Sequence, residues 1–472
     1  MSRRPVEAVI LWSVDAPRQP SVRIRPSGLP PANPRSSTAS RLLSFMRAYC
    51  FRHRQIDQKL ENNKCENLPR ASRIKLMNDE KSPLDSAMVN MEIDDLEQEL
   101  NKTYFHGLLP RADIEPLLRE NGSFVVRKTQ RNGEIILALS VKWDRRIKHF
   151  VFNQDESGMY YFESHKDKTI HGLIDWHMKN GEPISTLSGA KLIKGIGRQP
   201  WLLNHDEIVL QKKLGEGAFG EVHLALYITP SGKTNVAVKT MREEATRQAR
   251  LQFMKEARIM RKFSHPNVIR ILGVAVYENP LMIVMELCPG GSVLAYVRKM
   301  APVLNETKLR FCCEAAAGLA YLESKNCIHR DIAARNCLLS AKYDVKISDF
   351  GMSDERRFIH DDKLRKVPMK WLAPETMQQR VFSSKSDVWA YGVMAKRSLK
   401  VYEIYADGTE PYPGLSNLQA RAKIVVQNYR MEMPKITPQD VAKLVYKCWE
   451  ADPNARPSFS EIYEILCKIR KQ

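Results

Sequence analysis

His329-Arg-Asp-Ile-Ala-Ala-Arg-Asn336, read together with Asp349-Phe-Gly351 and Ala373-Pro-Glu375 further on, decides the fold. A lone carboxylate is ordinarily a solvated surface residue. Here Asp331 is followed by the amide of Asn336 and then by a second carboxylate, Asp349. The three supply a base for a hydroxyl and two oxygen ligands of the kind Mg²⁺ takes. Upstream, Leu214-Gly-Glu-Gly-Ala-Phe-Gly-Glu-Val222 spaces its glycines as G-x-G-x-x-G. That spacing alone is weak, because dinucleotide-binding turns share it. A dinucleotide site needs a helix directly after the last glycine, whereas Glu221–Tyr227 reads as strand, so the loop reads as a hairpin lid over phosphates. Val236-Ala-Val-Lys239 then sets a lysine on an apolar strand. Burying an ammonium without a partner is costly, so Lys239 is expected to face an anion, with Glu256 on a helix over Leu251–Phe263 as its partner. These motifs in this order are the parts of a phosphoryl-transfer site.

Composition bounds the rest. A chain of 472 residues suggests two or three domains. With 74 Lys+Arg against 54 Asp+Glu, the net charge of +20 favours anionic partners without naming one. Apolar runs such as Ala8–Trp12 fall far short of the ~18 residues that span a bilayer, and no secretory h-region follows Arg3 and Arg4. Nine cysteines without a Cys-x-x-Cys pair read as reduced thiols of a cytoplasmic protein, not as a zinc site or disulfide scaffold. Residues 1–100 read as a disordered basic arm, with Pro20, Pro26, Pro30, Pro31 and Pro34 among Ser and Arg. Within it Arg41–Leu60 has the makings of an amphipathic helix, read first as a transient helix in a solvated arm and alternatively as peripheral contact with the anionic face of the plasma membrane. Strands over Ser123–Lys128, Glu134–Trp143 and His149–Asn153, between helices at Pro110–Glu120 and His171–His177, give a small α+β domain over residues 103–190. A linker over 191–206 and a larger domain over 207–470, strands first and helices later, complete the chain.

The larger domain resembles the protein-kinase family, whose fold is a bilobal α+β domain. The resemblance implies ATP and Mg²⁺ as cofactors. It implies that Leu214, Gly215, Gly217, Gly220, Val222, Ala237, Lys239, Glu286, Cys288 and Leu338 bind ATP, with Met285 as gatekeeper. It makes Asp331, Arg335, Asn336, Lys239 and Glu256 catalytic, Asn336 and Asp349 metal ligands, Asp387 structural, and Arg456 the partner of Glu375. Ala333-Ala-Arg335 and Val367-Pro-Met-Lys-Trp371 resemble the tyrosine-specific branch, in which Arg335 would orient the substrate hydroxyl towards Asp331.

The smaller domain resembles an SH2 module through Tyr104-Phe-His-Gly107, Gly122-Ser-Phe-Val-Val-Arg127 and Lys148-His-Phe150. Phosphotyrosine recognition calls for a bidentate arginine. Arg127, in an otherwise apolar strand, is the candidate, with Arg111, Thr129 and His149 around it. Tyr104 stands where Trp is usual, and Thr129 where Ser is usual. An SH2 domain joined directly to a tyrosine kinase resembles the Fes/Fer family in a short form without its F-BAR segment, so membrane remodelling is not implied. The expected partners are proteins with tyrosine to phosphorylate and phosphotyrosine proteins, and no nucleic-acid motif is present.

Two departures stand out. Asp349–Glu375 contains no tyrosine, although the family's activation loop carries one; Phe358 stands near that position, and Asp361 and Asp362 are either part of an ordinary solvated loop or partial substitutes for its phosphate. Ala395–Lys400 reads as a six-residue insertion that would turn the second half of a buried helix ~120° out of register. The competing reading is an SH2 adaptor whose kinase domain is inactive or poorly folded.

Overall fold

The computed structural model describes residues 104–471 apart from 132–133, 218–219, 243–244, 362–368, 394–403, 406–410 and 413. The basic arm, Asp362 and the stretch Ala395–Lys400 lie outside the described residues.

In the first domain α1 (Arg111–Ile114) is shorter than the helix expected over Pro110–Glu120, because Pro116 has no N–H to donate and the chain tightens into a 3-10 turn over Glu115–Leu117. The β-favouring run Phe124-Val-Val126 lies in β1 (Ser123–Arg131), which pairs antiparallel with β2 (Glu134–Trp143); β2 pairs with β3 (Arg146–Val151). The helix α2 (Ile170–Asn180) is capped by the Thr169 hydroxyl, which accepts from the Gly172 N–H, and stops at Gly181 in the left-handed region. Ile114, Ile170, Leu173 and Ile174 are fully buried in the interior.

Residues 191–206 are stitched into both neighbours rather than hanging as a linker. Lys194–Gly195 adds to β1 in parallel register, and the Leu203 N–H donates to Val274 O at 2.9 Å on the far side. The second domain opens with β4 (Ile208–Glu216), β5 (Glu221–Thr229) and β6 (Gly232–Thr240), followed by α3 (Arg247–Met260), β7 (Ile271–Ala275) and β8 (Met282–Glu286). These strands make one sheet in the order β7-β8-β6-β5-β4 over a core of Ala225, Val236, Val238 and Val284.

The helical lobe contains α4 (Val293–Lys299) and α5 (Asn305–Ser324), then the hairpins β9 (Cys337–Leu339) with β10 (Val345–Ile347) and β11 (Ile359–His360) with β12 (Val381–Phe382). Around them run α6 (Pro374–Gln379), α7 (Ser384–Val393), α8 (Asn417–Val425), α9 (Gln439–Cys448) and α10 (Phe459–Lys471). The α5 helix is central, with Phe311, Cys312 and Ala316 fully buried. At the base of this lobe Arg456 meets Glu375 bidentately, both bonds at 2.8 Å, and also donates to the carbonyls of Lys385 and Glu450. Its side chain has no exposed surface. Truncating one partner of such a pair strands the other charge, so Arg456→Ala is expected to destabilise the second domain by about 3 kcal/mol. Chemical denaturation followed by tryptophan fluorescence reads this; an unchanged midpoint would contradict it.

Candidate active site

Between the two lobes the charged residues singled out from the sequence meet. Lys239, at the end of β6, donates to both carboxylate oxygens of Glu256 on α3 at 2.7 and 2.8 Å. Its ammonium also lies 3.7 Å from Asp349. Burial works against the charged amine, and Glu256 and Asp349 reverse that effect, so Lys239 is held as a cation with its pKa raised. The glycine-rich turn is closed by the Gly217 N–H donating to Gly220 O at 2.8 Å. Gly220 has to be glycine: a Cβ there would sit 1.9 Å from Thr240 O. Among the residues assigned to the adenine, Val222, Leu338 and Cys288 are buried, and Ala237 pairs with Met285. The Glu286 carboxylate is engaged by Lys346 at 3.1 and 3.2 Å and by the Arg270 N–H, and the Glu286 N–H donates in turn to Arg270 O at 3.0 Å.

The loop His329–Asn336 is clamped from below by Asp387, which accepts the backbone N–H groups of His329 at 2.6 Å and Arg330 at 2.9 Å. These bonds hold Arg330 in the left-handed region at φ +69°, a strained conformation for a long side chain. Burial pushes the Asp387 carboxyl up to about 7, against the two N–H donors that favour its charged form. Asp331 accepts from Arg335 and, at 2.8 Å, from the Asn336 amide. Burial would raise the Asp331 carboxyl; Arg335 and His329 outweigh it and hold it below the usual carboxylate range. The Asn336 amide nitrogen also donates to Asp331 O at 2.7 Å, so its carbonyl oxygen is what it can offer a metal. That oxygen and the Asp349 carboxylate form an all-oxygen donor set, which fits Mg²⁺.

In the first domain β1 turns Arg127 and Thr129 to one face and Lys128 to the other. Arg127 is buried, and its Nε donates to the Ser140 hydroxyl at 3.2 Å; that hydroxyl is 2.9 Å from His149 Nδ1. Among the described residues no carboxylate forms an ion pair with Arg127. Burial and then Arg111 depress the Arg127 guanidinium to about 10, and burial, Arg111 and Arg127 depress His149 to about 4. Arg111 and Arg127 are therefore neighbours whose charges repel, offset in part by Glu115 and with an uncharged His149 beside them, an arrangement that a dianion would relieve.

Sequence reasoning missed how the two domains meet. The Asp113 carboxylate of α1, whose side chain has no exposed surface, accepts from Arg258 at 2.8 and 3.0 Å and from Arg261 at 2.7 Å. Arg258 lies about 200° around α3 from Glu256, so one side of the helix faces Lys239 and the other faces Asp113. Arg250 adds a bond to Gln130 at 2.6 Å. Gly107 packs against β7's end, where a Cβ would fall 2.4 Å from Val276 O, and Lys128 reaches Tyr277 O at 3.4 Å. The only advance signal was Gly107 itself, which the sequence motif contained without giving its purpose.

The sequence is also similar to that of known proteins. The family model for protein tyrosine and serine/threonine kinases matches residues 208–466, and the SH2 domain model matches 104–177. Fer-related kinase 1 of Caenorhabditis elegans is 55% identical over 368 residues, which cover 77% of this chain and 92% of that protein. Tyrosine-protein kinase Fer of Homo sapiens is 38% identical over 398 residues, 83% of this chain and 47% of that one. The transforming protein Fps of Fujinami sarcoma virus is 40% identical over 375 residues, 79% and 42%. The chain thus spans less than half the length of these last two.

Two measurements follow from the geometry. Asp113→Asn should lower kcat about fivefold, the effect of a coupling energy of about 1 kcal/mol, while phosphopeptide affinity at Arg127 is retained; an unchanged kcat would separate α3 from the first domain. His149 has a folded pKa below its ordinary 6.5. The unfolded chain therefore takes up a proton that the folded one refuses, and stability falls as pH drops from about 6.5 towards 4. His149→Gln should flatten that part of the pH–stability curve, as read by urea unfolding.

Proposed function

Since the chain belongs to the protein tyrosine and serine/threonine kinase family, as an SH2-bearing non-receptor tyrosine kinase of the Fer/Fps type, we propose that Asp331, Arg335, Asn336, Asp349, Lys239 and Glu256 carry its reaction in the following roles. Kinases of this family use ATP and a divalent metal, and the metal neutralises charge on the transferred phosphoryl group when bound. Lys239, fixed by Glu256, holds the nucleotide phosphates. Gly215, Gly217 and Gly220 let backbone N–H groups approach them, and Leu214, Val222, Ala237 and Leu338 enclose the base beside Glu286 and Cys288. Asn336 and Asp349 hold the metal, taken here as Mg²⁺. Asp331 accepts the tyrosine hydroxyl proton, and Arg335 keeps that carboxylate aimed and charged. The observation that supports this reading best is the closed pair between Lys239 and Glu256 with Asp349 beside it, since an inactive arrangement would leave that buried lysine without its carboxylate.

The SH2 domain brings the enzyme to phosphotyrosine proteins, with Arg127 and Arg111 as the phosphate clamp, Thr129 and His149 beside them, and boundaries near 103–190 and 207–470. A cytoplasmic location with the basic arm resting on anionic plasma membrane fits the charge of residues 1–60, where eleven Lys and Arg face three acids. No described helix is long and apolar enough to cross a membrane.

Wild-type protein is expected to phosphorylate an acidic tyrosine peptide in MgATP. Asp331→Asn should lower kcat by about three orders of magnitude while still binding a phosphotyrosine peptide, and Arg127→Ala should do the reverse. Equal activity of Asp331→Asn and wild type would overturn the assignment; loss of activity in both, with peptide binding intact, would favour the adaptor reading.

A further inference from the structure

The segment after Asp349 contains one hydroxyl side chain up to Glu375, Ser353, and that residue is fully buried with its Oγ donating to His329 O. No accessible hydroxyl is therefore available there to carry a phosphate. Yet the catalytic loop contains a guanidinium that requires an anion. Arg330 precedes the proposed base directly, its side chain is 9% exposed, and it lies over the Phe382 ring with 4.1 Å from guanidinium carbon to ring centre. Its Nε is buried without a partner, and one terminal nitrogen reaches only the Met352 carbonyl at 3.5 Å. The other terminal nitrogen donates to the carboxylate of Asp361. Phe358, nearer the place expected from the sequence, is instead 73% exposed.

Asp361 is itself anchored. Its N–H donates to Arg380 O at 3.1 Å, directly after the two residue pairs Ile359 with Phe382 and His360 with Val381 that join β11 to β12. The ring under the Arg330 guanidinium belongs to β12. Backbone pairing, cation–π contact and ion pair therefore close one circuit from the catalytic loop through Arg330 to Asp361, β11, β12 and back. An added phosphate commonly orders such a segment by supplying charge to an arginine. Here the chain supplies that charge as a side chain.

We propose that Asp361 is a built-in positioning residue that fixes Arg330 and residues 350–361 in the working arrangement, so that activity requires no phosphate between Asp349 and Glu375. The proposal rests on the tyrosine-kinase reading above and deepens its regulation.

The test uses the full chain, first treated with a tyrosine phosphatase. Wild type should show linear peptide phosphorylation from the first time point, at the same rate with and without the treatment. Asp361→Asn should lose about tenfold or more in kcat with KM for ATP within about twofold, and Asp361→Glu should recover most of it. Asp361→Tyr should be inactive after phosphatase and gain activity after a lag in MgATP. A wild type that loses its activity to phosphatase, or a folded Asp361→Asn with wild-type kcat, overturns the proposal. Hydrogen exchange reads the ion pair without catalysis: the amides of residues 359–361 should be protected in wild type and exposed in Asp361→Asn. Unprotected wild-type amides sink the proposal alone; protected amides in a protein that transfers no phosphoryl group sink the kinase reading instead.

Discussion

The pair between Lys239 and Glu256 is what the rest of the second domain is arranged around. Both side chains are at least nine-tenths withdrawn from water, and neither charge would be tolerated there alone. A lysine at the end of an apolar strand fixes where α3 must lie, because only a carboxylate brought within about 3 Å offsets the desolvation of the ammonium. Such a pair adds little net stability compared with an apolar replacement. What it determines is position, since a small rotation of α3 breaks two charge-assisted bonds at once. Asp349 stands beside the same ammonium, so three charges are set by one contact.

The consequence is that α3 acts as a lever with a load on each side. Its inner side holds Glu256. Its outer side holds Arg258 and, at its end, Arg261, both engaged by Asp113, while Arg261 also stacks over Trp201 at 3.5 Å. Lys255 pairs with Asp354 at 2.8 Å, and Gln252 donates to Gly351 O at 2.6 Å. The helix is thus bonded to the SH2 domain, to the proposed phosphate-binding lysine and to the start of the segment after Asp349. The strip 191–206 makes this docking inexpensive in entropy, because it pairs with β1 at one end and with β7 at the other, which leaves little free chain between the domains.

The order of the motifs made the kinase fold legible, and β-propensity with turn residues gave the three long strands of the SH2 domain within about three residues, while the two-residue strands such as Tyr160–Tyr161 and Lys194–Gly195 were not foreseen. The reason is that phosphate chemistry demands particular side chains at fixed spacing, and a lysine in an apolar strand or an arginine in another cannot be read as ordinary surface. Helix ends were less legible: Pro116 broke the first helix, and α3 starts four residues before the expected Leu251 because Thr246 caps it through the Ala249 N–H. Asp113 could not have been found. An aspartate in a short amphipathic turn looks like any solvated acid, and only the fold brings it across 145 positions of sequence to Arg258. Asp361 was visible as an acid in the right segment, but the identity of its partner depended on the strained backbone that aims Arg330.

Arg127 and Arg330 show how the same side chain is put to opposite uses by what the chain places near it. Each guanidinium is largely buried and each touches an aromatic ring or hydroxyl that fixes its plane. Arg330 is given a carboxylate from its own chain, so its charge is satisfied before any ligand arrives and serves to brace the loop. Arg127 is given Ser140, His149 and the neighbouring Arg111; Glu115 is near enough to favour its proton but forms no ion pair with it among the described residues, and burial lowers the pKa of the guanidinium. The proposed role of Arg127 in taking a dianion is favoured by that unpaired charge, because an acid bonded directly to the arginine would compete with the phosphate. The excess positive charge of the whole molecule is consistent with both uses, and only the position of the acids tells them apart.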